Sequence, residues 1–247
     1  MQNAQLKKEG YLEKEEGRPN SERIVDYIEN EIIHGRLRKG DKLPTERRMA
    51  EEMSVSRASV REAVKALEAM GVVKSVQGSG NYITDDPDST INRPLCTLFA
   101  LSDGTLDNLL QLRALLETEA CKDVINAASD EEIRSLGRLM QYDYDAAARE
   151  QAKRDSEFHM GIVQLSRNTL VRYLYATVLR LIDVYRERVL EETEQRGESG
   201  ITKREHEEIM RALRERDLTA ATQAVRSHIL LNKEYRDALD RPYRTLV

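Results

Sequence analysis

Three helical stripes in succession, the last rich in arginine and followed by a glycine-tipped hairpin, constrain the fold of this chain more than any other feature. Ser21 can cap a helix whose apolar residues Ile24, Ile28 and Ile32 recur every four positions, and Gly35 stands where that helix would stop. After the turn at 39–44, Thr45 can cap a short helix reaching residue 53, with Met49 and Ala50 facing inward and Arg47 and Arg48 outward. Ser54-Val-Ser56 interrupts it. Ser56 can then cap a third helix over 57–70, with Val60, Ala63, Val64 and Leu67 on one face and Arg57, Arg61, Lys65 and Glu68 on the other. Gly71 ends that helix, and residues 72–76 and 81–84, joined by Gln77-Gly-Ser-Gly80, form a small hairpin.

Two helices joined by a tight polar turn make a helix-turn-helix, whose second helix enters the DNA major groove by its N-terminal end. Here that end presents Ser56, Arg57, Ala58, Ser59 and Arg61. Arginine matches the guanine O6/N7 edge, and serine hydroxyls with a helix N-terminus suit phosphate oxygens. The hairpin then serves as a wing, its Gly-rich tip letting the backbone approach the duplex closely, with Gln77 and Ser79 as polar probes. The helix pair alone would equally suit an ordinary helical hairpin, with Arg57 and Arg61 as solvated charges. The full order of elements argues for a reading head.

The net charge of −5 opposes a nucleic-acid partner only when taken as a sum. Between residues 33 and 82, ten Lys/Arg face six Asp/Glu, so this window carries +4 and the remainder −9. Residues 1–19 are polar, lack a convincing period and are expected to form a flexible tail, as are 241–247. The longest apolar run, residues 95–101, is too short to span a bilayer, and the first residues hold no secretory core, so a cytoplasmic location is expected. Cys96 and Cys121 lack C-x-x-C spacing and are expected as reduced thiols.

The pattern changes after the hairpin. The winged helix-turn-helix is assigned to 20–85, and the acidic stretch that follows, with Pro87 and Pro94, marks a linker over 86–104. From 105 to 240 helical period dominates, at about 105–127, 130–142, 144–165, 168–192, 202–215 and 218–240, with a capping box at Ser129-Asp-Glu-Glu132. The fold class is therefore mainly α, a winged helix-turn-helix in front of an antiparallel bundle of roughly six helices.

One constellation in the bundle carries chemistry. Asp155 and His159 lie four residues apart and project from one helix face, while His206 and His228 sit in the last two helices. A carboxylate and three imidazoles that converged would bind a divalent transition ion, zinc first, with nickel or manganese also compatible. Singly, each of these residues also suits an ordinary core, surface or capping role. His34 carries no such expectation. Catalysis by a metal-activated water would need a general base, and the nearby Glu157 falls on another face of the helix; a head used only for protein contacts would not need Arg47, Arg57 and Arg61 together on its surface.

The words Leu43-Pro-Thr-Glu-Arg47 and Val55-Ser-Arg-Ala-Ser-Val-Arg-Glu-Ala63 closely resemble those of the GntR family of bacterial regulators, over residues 21–84. The resemblance implies DNA contacts by Arg47, Arg57 and Arg61, with Ser56, Ser59, Gln77 and Gly78 beside them; Ala58 lacks the hydroxyl some members carry there. Asp155-Ser-Glu-Phe-His159, the segment 205–212, Arg216-Asp217 and the segment 224–228 resemble the FCD ligand-binding domain of the family's FadR-type branch, over about 105–240. It implies that Asp155, His159, His206 and His228 hold the metal, and that the effector is a small organic or sugar acid rather than an acyl-CoA. Arg113 matches a position where the family keeps an arginine that could clamp the effector's carboxylate, or else pairs with a neighbouring Glu. Asn168 falls at a family-like effector position and is equally a natural cap for the next helix. The expectation is a homodimeric regulator, not an enzyme, whose grip on double-stranded operator DNA follows effector binding.

Overall fold

The computed structural model describes residues 17–84, 92–141, 148–196 and 203–230. The chain divides into two compact units, residues 1–91 and 92–247.

In the first unit, α1 (Asn20–Ile33), α2 (Glu46–Met53) and α3 (Arg57–Ala69) precede β1 (Val73–Val76) and β2 (Gly80–Ile83). Ile24, Ile28, Leu37, Met49, Val60 and Leu67 are buried together, so the apolar stripes of all three helices close on one core. Thr45 and Ser56 cap as their sequence context requires, accepting from the backbone N–H groups of Arg48 and Ser59. Ser21 does not cap: the helix start lies two residues earlier, at Asn20 behind Pro19, which leaves Ser21 buried within the first turn. Gly35 ends α1 with φ +71°, a conformation open to a residue without Cβ. The two strands pair antiparallel, Val73 with Ile83 through Val76 with Gly80. The segment before α2 joins them: the N–H of Leu43 donates to Asn81 O and that of Ile83 to Asp41 O, both at 2.8 Å, which ties the wing to the helical core.

The second unit is helical: α4 (Asn92–Leu101), α5 (Leu106–Ala127), α6 (Asp130–Leu139), α7 (Ala148–Gln164), α8 (Thr169–Arg196), α9 (Lys203–Glu215) and α10 (Leu218–Leu230). The central helix is α5, with α7, α8, α9 and α10 packed against it. Phe158, Ile162, Tyr175, Ile182, Ile209, Leu213 and Val225 join α5's Leu106, Leu110 and Val124 in the core. Thr105 and Ser129 open α5 and α6 with reciprocal capping boxes.

Helix α4 departs from the sequence expectation, which had residues 86–104 as linker. Its apolar run supplies the reason: Phe99 and Ala100 pack on the core, and Pro94 falls in the first turn, where a helix tolerates it. Phe99 lies so close to Gly104 that a Cβ there would come within 2.1 Å of its ring, so a larger residue at that turn would have to displace the ring. Helix α6 ends at Leu139, short of the expected 142. The expected start of α7 at 144, the far end of α10 over 231–240, residues 86–91 of the linker, residues 1–16 of the first tail and all of 241–247 lie outside the described residues. Among those described, no helix is long and apolar enough to cross a membrane.

Candidate DNA-reading surface and metal centre

The first unit sets its arginines at the helix-turn-helix surface. Arg57, in the first turn of α3, is exposed. Arg61, one turn on, has its side chain 64% exposed, with Nε 3.4 Å from Glu46 Oε2 on α2. Arg47 is exposed beside Glu51, at 3.7 Å. The Ser56 hydroxyl is committed to its cap, 3.0 Å from Ser59 N and 2.9 Å from Ser59 Oγ, so these two serines form one local unit at the helix N-terminus. Gln77 and Gly78 are exposed at the hairpin tip, Gly78 with φ +73°. Sequence reasoning assigned no part to Glu46, or to Lys42, whose Nζ lies 5.5 Å from the centre of the Tyr82 ring. Both relationships are tertiary, and periodicity carries no sign of them.

In the second unit Asp155 and His159 on α7 meet His206 on α9 and His228 on α10, all four buried. Their convergence has a simple geometry. Nε2 of His159, His206 and His228 lie 3.3, 3.1 and 3.0 Å from one atom, Asp155 Oδ1. One donor atom from each of the four residues can be chosen so that all lie within 4.8 Å of one another. Oxygen and nitrogen ligands at about 2.0–2.2 Å from a shared ion stand about 2.8–3.1 Å apart in an octahedron and about 3.3–3.6 Å in a tetrahedron, and gaps of 3.0–3.3 Å to Asp155 Oδ1 fall in that range. His159 Nε2 is buried without a hydrogen bond, although it faces the carboxylate, as a nitrogen prepared for a cation would.

A further layer surrounds the cluster. His159 Nδ1 pairs with Glu117 Oε1, and Tyr175 donates to Glu117 Oε2 at 2.7 Å. His228 Nδ1 lies 3.0 Å from Glu205 Oε2. Arg113 reaches Asp155 Oδ2 at 3.4 Å and Tyr175 Oη at 3.3 Å, with Glu117 at 3.9 Å. Burial alone would neutralise Asp155, but the three imidazoles outweigh it and hold the carboxyl well below its usual range. Burial dominates at His206 and lowers it to about 4, with Asp155 offsetting only part. At His228 burial again opposes the charge, yet bonds to Asp155 and Glu205 prevail and raise it to about 9.

Of the two effector candidates, Arg113 adjoins the cluster and Asn168 does not join it. Arg113 is buried and already engaged by Asp155, Glu117 and Tyr175, so the ion pair with a neighbouring Glu is present in the structure. Asn168 is exposed at the start of α8, where its Oδ1 accepts from the N–H groups of Leu170 and Val171. Glu157 pairs with Arg154 at 2.9 Å, half-exposed. Tyr175 and Glu205 had no assigned part, and Glu117 only that of an ion-pair neighbour of Arg113; the available signals were Glu117 one turn beyond Arg113 and Glu205 directly before His206.

A winged reading head and a helical domain with a buried ligand-grade cluster define a ligand-responsive transcriptional regulator. Residues 20–83 match the bacterial regulatory proteins of the gntR family, and residues 108–231 match the FCD domain. The chain belongs to the GntR family, and its FCD domain fits the FadR-type branch. It is 30% identical over 176 residues to the Glc operon transcriptional activator of Escherichia coli (strain K12), covering 68% of this chain and 69% of that protein. It is 31% identical over 155 residues to the HTH-type transcriptional regulator LutR of Bacillus subtilis (strain 168), covering 61% and 70%. Among solved structures, Streptococcus agalactiae GntR superposes with a TM-score of 0.61 at 27% identity, over 85% of this chain and 97% of that one. The protein is thus a DNA-binding regulator with a ligand-binding domain, not an enzyme. FCD domains often bind a metal, and this one has an Asp/His cluster able to hold one.

Proposed function

We propose that a small organic or sugar acid, bound beside a divalent transition metal in the FCD domain, controls how tightly this regulator holds its operator. The observation that carries this reading is the convergence of three Nε2 atoms on Asp155 Oδ1 at 3.0–3.3 Å in a buried interior. Asp155, His159, His206 and His228 would hold the ion, zinc ahead of nickel or manganese, since imidazoles outnumber carboxylates in the set. The ion would supply Lewis acidity and positive charge that an anionic effector can meet. Arg113 adds a guanidinium beside it, able to grip a carboxylate once it releases Asp155 or Tyr175. Asn168 has weaker support, since its side chain serves as a helix cap.

The DNA side of the proposal assigns contacts to Arg47, Ser56, Arg57, Ser59, Arg61, Gln77 and Gly78. Arginines would read base edges or phosphates, and the wing tip would follow the adjacent groove. The protein would act in the cytoplasm as a homodimer, each head taking one half of a two-fold operator, with effector binding altering the fit.

A thermal-shift screen of small carboxylic acids, run with and without chelator, tests the sensor. The expected result is a stabilising acid whose effect vanishes when metal is stripped and which changes operator retention in a gel shift. A stabilising acid indifferent to chelator would remove the metal from the proposal. Elemental analysis of the double variant His206→Ala, His228→Ala should find no ion, and full occupancy there would refute the site.

A further inference from the structure

We infer that Glu117 and Glu205 are positioning residues for the metal: they bind the Nδ1 sides of His159 and His228 and so turn both Nε2 lone pairs onto one point. The inference rests on the metal reading above and extends it to the second layer.

An imidazole serves a metal through one nitrogen, and the other must then carry the proton. Which nitrogen does so is decided by what faces it. His159 Nδ1 faces Glu117 Oε1, and His228 Nδ1 faces Glu205 Oε2 at 3.0 Å. A carboxylate only accepts, so each of these Nδ1 atoms carries the hydrogen and donates it. In the metal-bound protein Nε2 is left bare on both rings, and both Nε2 atoms look toward Asp155 Oδ1. The two rings stack with centroids 4.6 Å apart, so fixing their far edges also fixes their near edges side by side.

Glu117 is itself held. Its second oxygen accepts from Tyr175 at 2.7 Å, Arg113 lies 3.9 Å away, and the side chain is fully buried. A carboxylate anchored on three sides transmits its position to His159 without slack. Glu205 is looser, 41% exposed and one residue before the ligand His206, so α9 supplies a ligand at one position and an orienting group at the next. The same arrangement makes each ring more electron-rich toward a cation.

The experiment measures zinc affinity of full-length protein by competition with a chromophoric chelator, with histidine nitrogen–proton correlation spectra of the zinc-loaded protein. Expected are a tenfold to hundredfold weaker affinity in Glu117→Gln, about tenfold in Glu205→Gln, and Nδ1–H with metal-bound Nε2 for His159 and His228 in the wild type. A purely structural glutamate would leave that nitrogen signature unmoved, whereas here Glu117→Gln alters it at His159. Wild-type affinity in both variants, or Nδ1-bound metal on either ring, overturns the inference. If Glu117→Gln fails to fold, Glu205→Gln at its half-exposed site decides alone. No zinc binding by the wild type overturns the metal reading itself and is seen before any variant is compared.

Discussion

His228 Nε2 lies 3.0 Å from Asp155 Oδ1, although 73 positions of sequence separate the two residues. Their approach brings a side chain of α10 to one of α7 at the point where His159 and His206 also arrive. A site of this kind links metal to folding, because only the folded chain assembles the donors. Zinc added to chelator-treated protein should therefore raise the thermal midpoint, by about 2.7 kcal/mol of stability at a hundredfold excess over Kd. Asp155→Asn should abolish the rise. A midpoint indifferent to zinc, or an undiminished rise in Asp155→Asn, would count against the cluster as a metal centre.

Arg57 and Arg61 stand on the exposed face of α3, so truncating either leaves the core of the first unit untouched. Operator affinity in a gel shift should fall by about 1–3 kcal/mol for Arg57→Ala or Arg61→Ala, while the far-UV spectrum stays that of the wild type. Undiminished retention of the operator by both variants would remove α3 from the groove.

Arg216 is a non-glycine residue at φ +55°, held there by what its side chain reaches. Its guanidinium donates to Ile125 O at 2.8 Å and Ala128 O at 2.9 Å, and pairs with Asp130 at 2.7 Å, tying the α9–α10 turn to the end of α5. Arg216→Ala strips donors from those carbonyls and should lower stability in urea denaturation by about 1–2 kcal/mol, the partial exposure of the site tempering the loss. An unchanged midpoint would show that water replaces the guanidinium at no cost.

Cys121 is fully buried, and desolvation, with Glu117 adding to it, pushes its thiol well above the ordinary value. In a Cys96→Ser variant the remaining thiol should resist a disulfide-exchange reagent at pH 8 and react at once in denaturant. Rapid reaction of the native protein would mean that the α5 core opens far more readily than its packing implies.

Much of the fold was legible because much of it is local. Thr45, Ser56 and Ser129 announce helix starts through bonds spanning three residues, and those starts are where the sequence puts them. Ser21 misleads because a capping residue type one position inside a helix has the same local spelling. The ten residues of α4 carry the local spelling of a linker, since Pro94 and the acidic stretch before it mask an apolar run whose partner is the distant core. In the candidate site, Asp155 and His159 share a helix face and were legible as a pair. Glu117 and Tyr175 were not, since Glu117 meets His159 across 42 positions and Tyr175 across 58.

The amino-acid sequence by itself determined most of the helices and caps, the glycine-tipped hairpin and the basic window over 33–82 in an otherwise acidic chain, because those follow from interactions within about one turn and from the placement of charge. It also carried the four ligand-type residues by composition and resemblance. Only the tertiary structure decided that three imidazole nitrogens face one carboxylate oxygen, and that Glu117, Glu205 and Arg113 stand behind them. Those relationships depend on how α5, α7, α9 and α10 pack, and helix packing is set by the fit of whole apolar faces rather than by any local pattern.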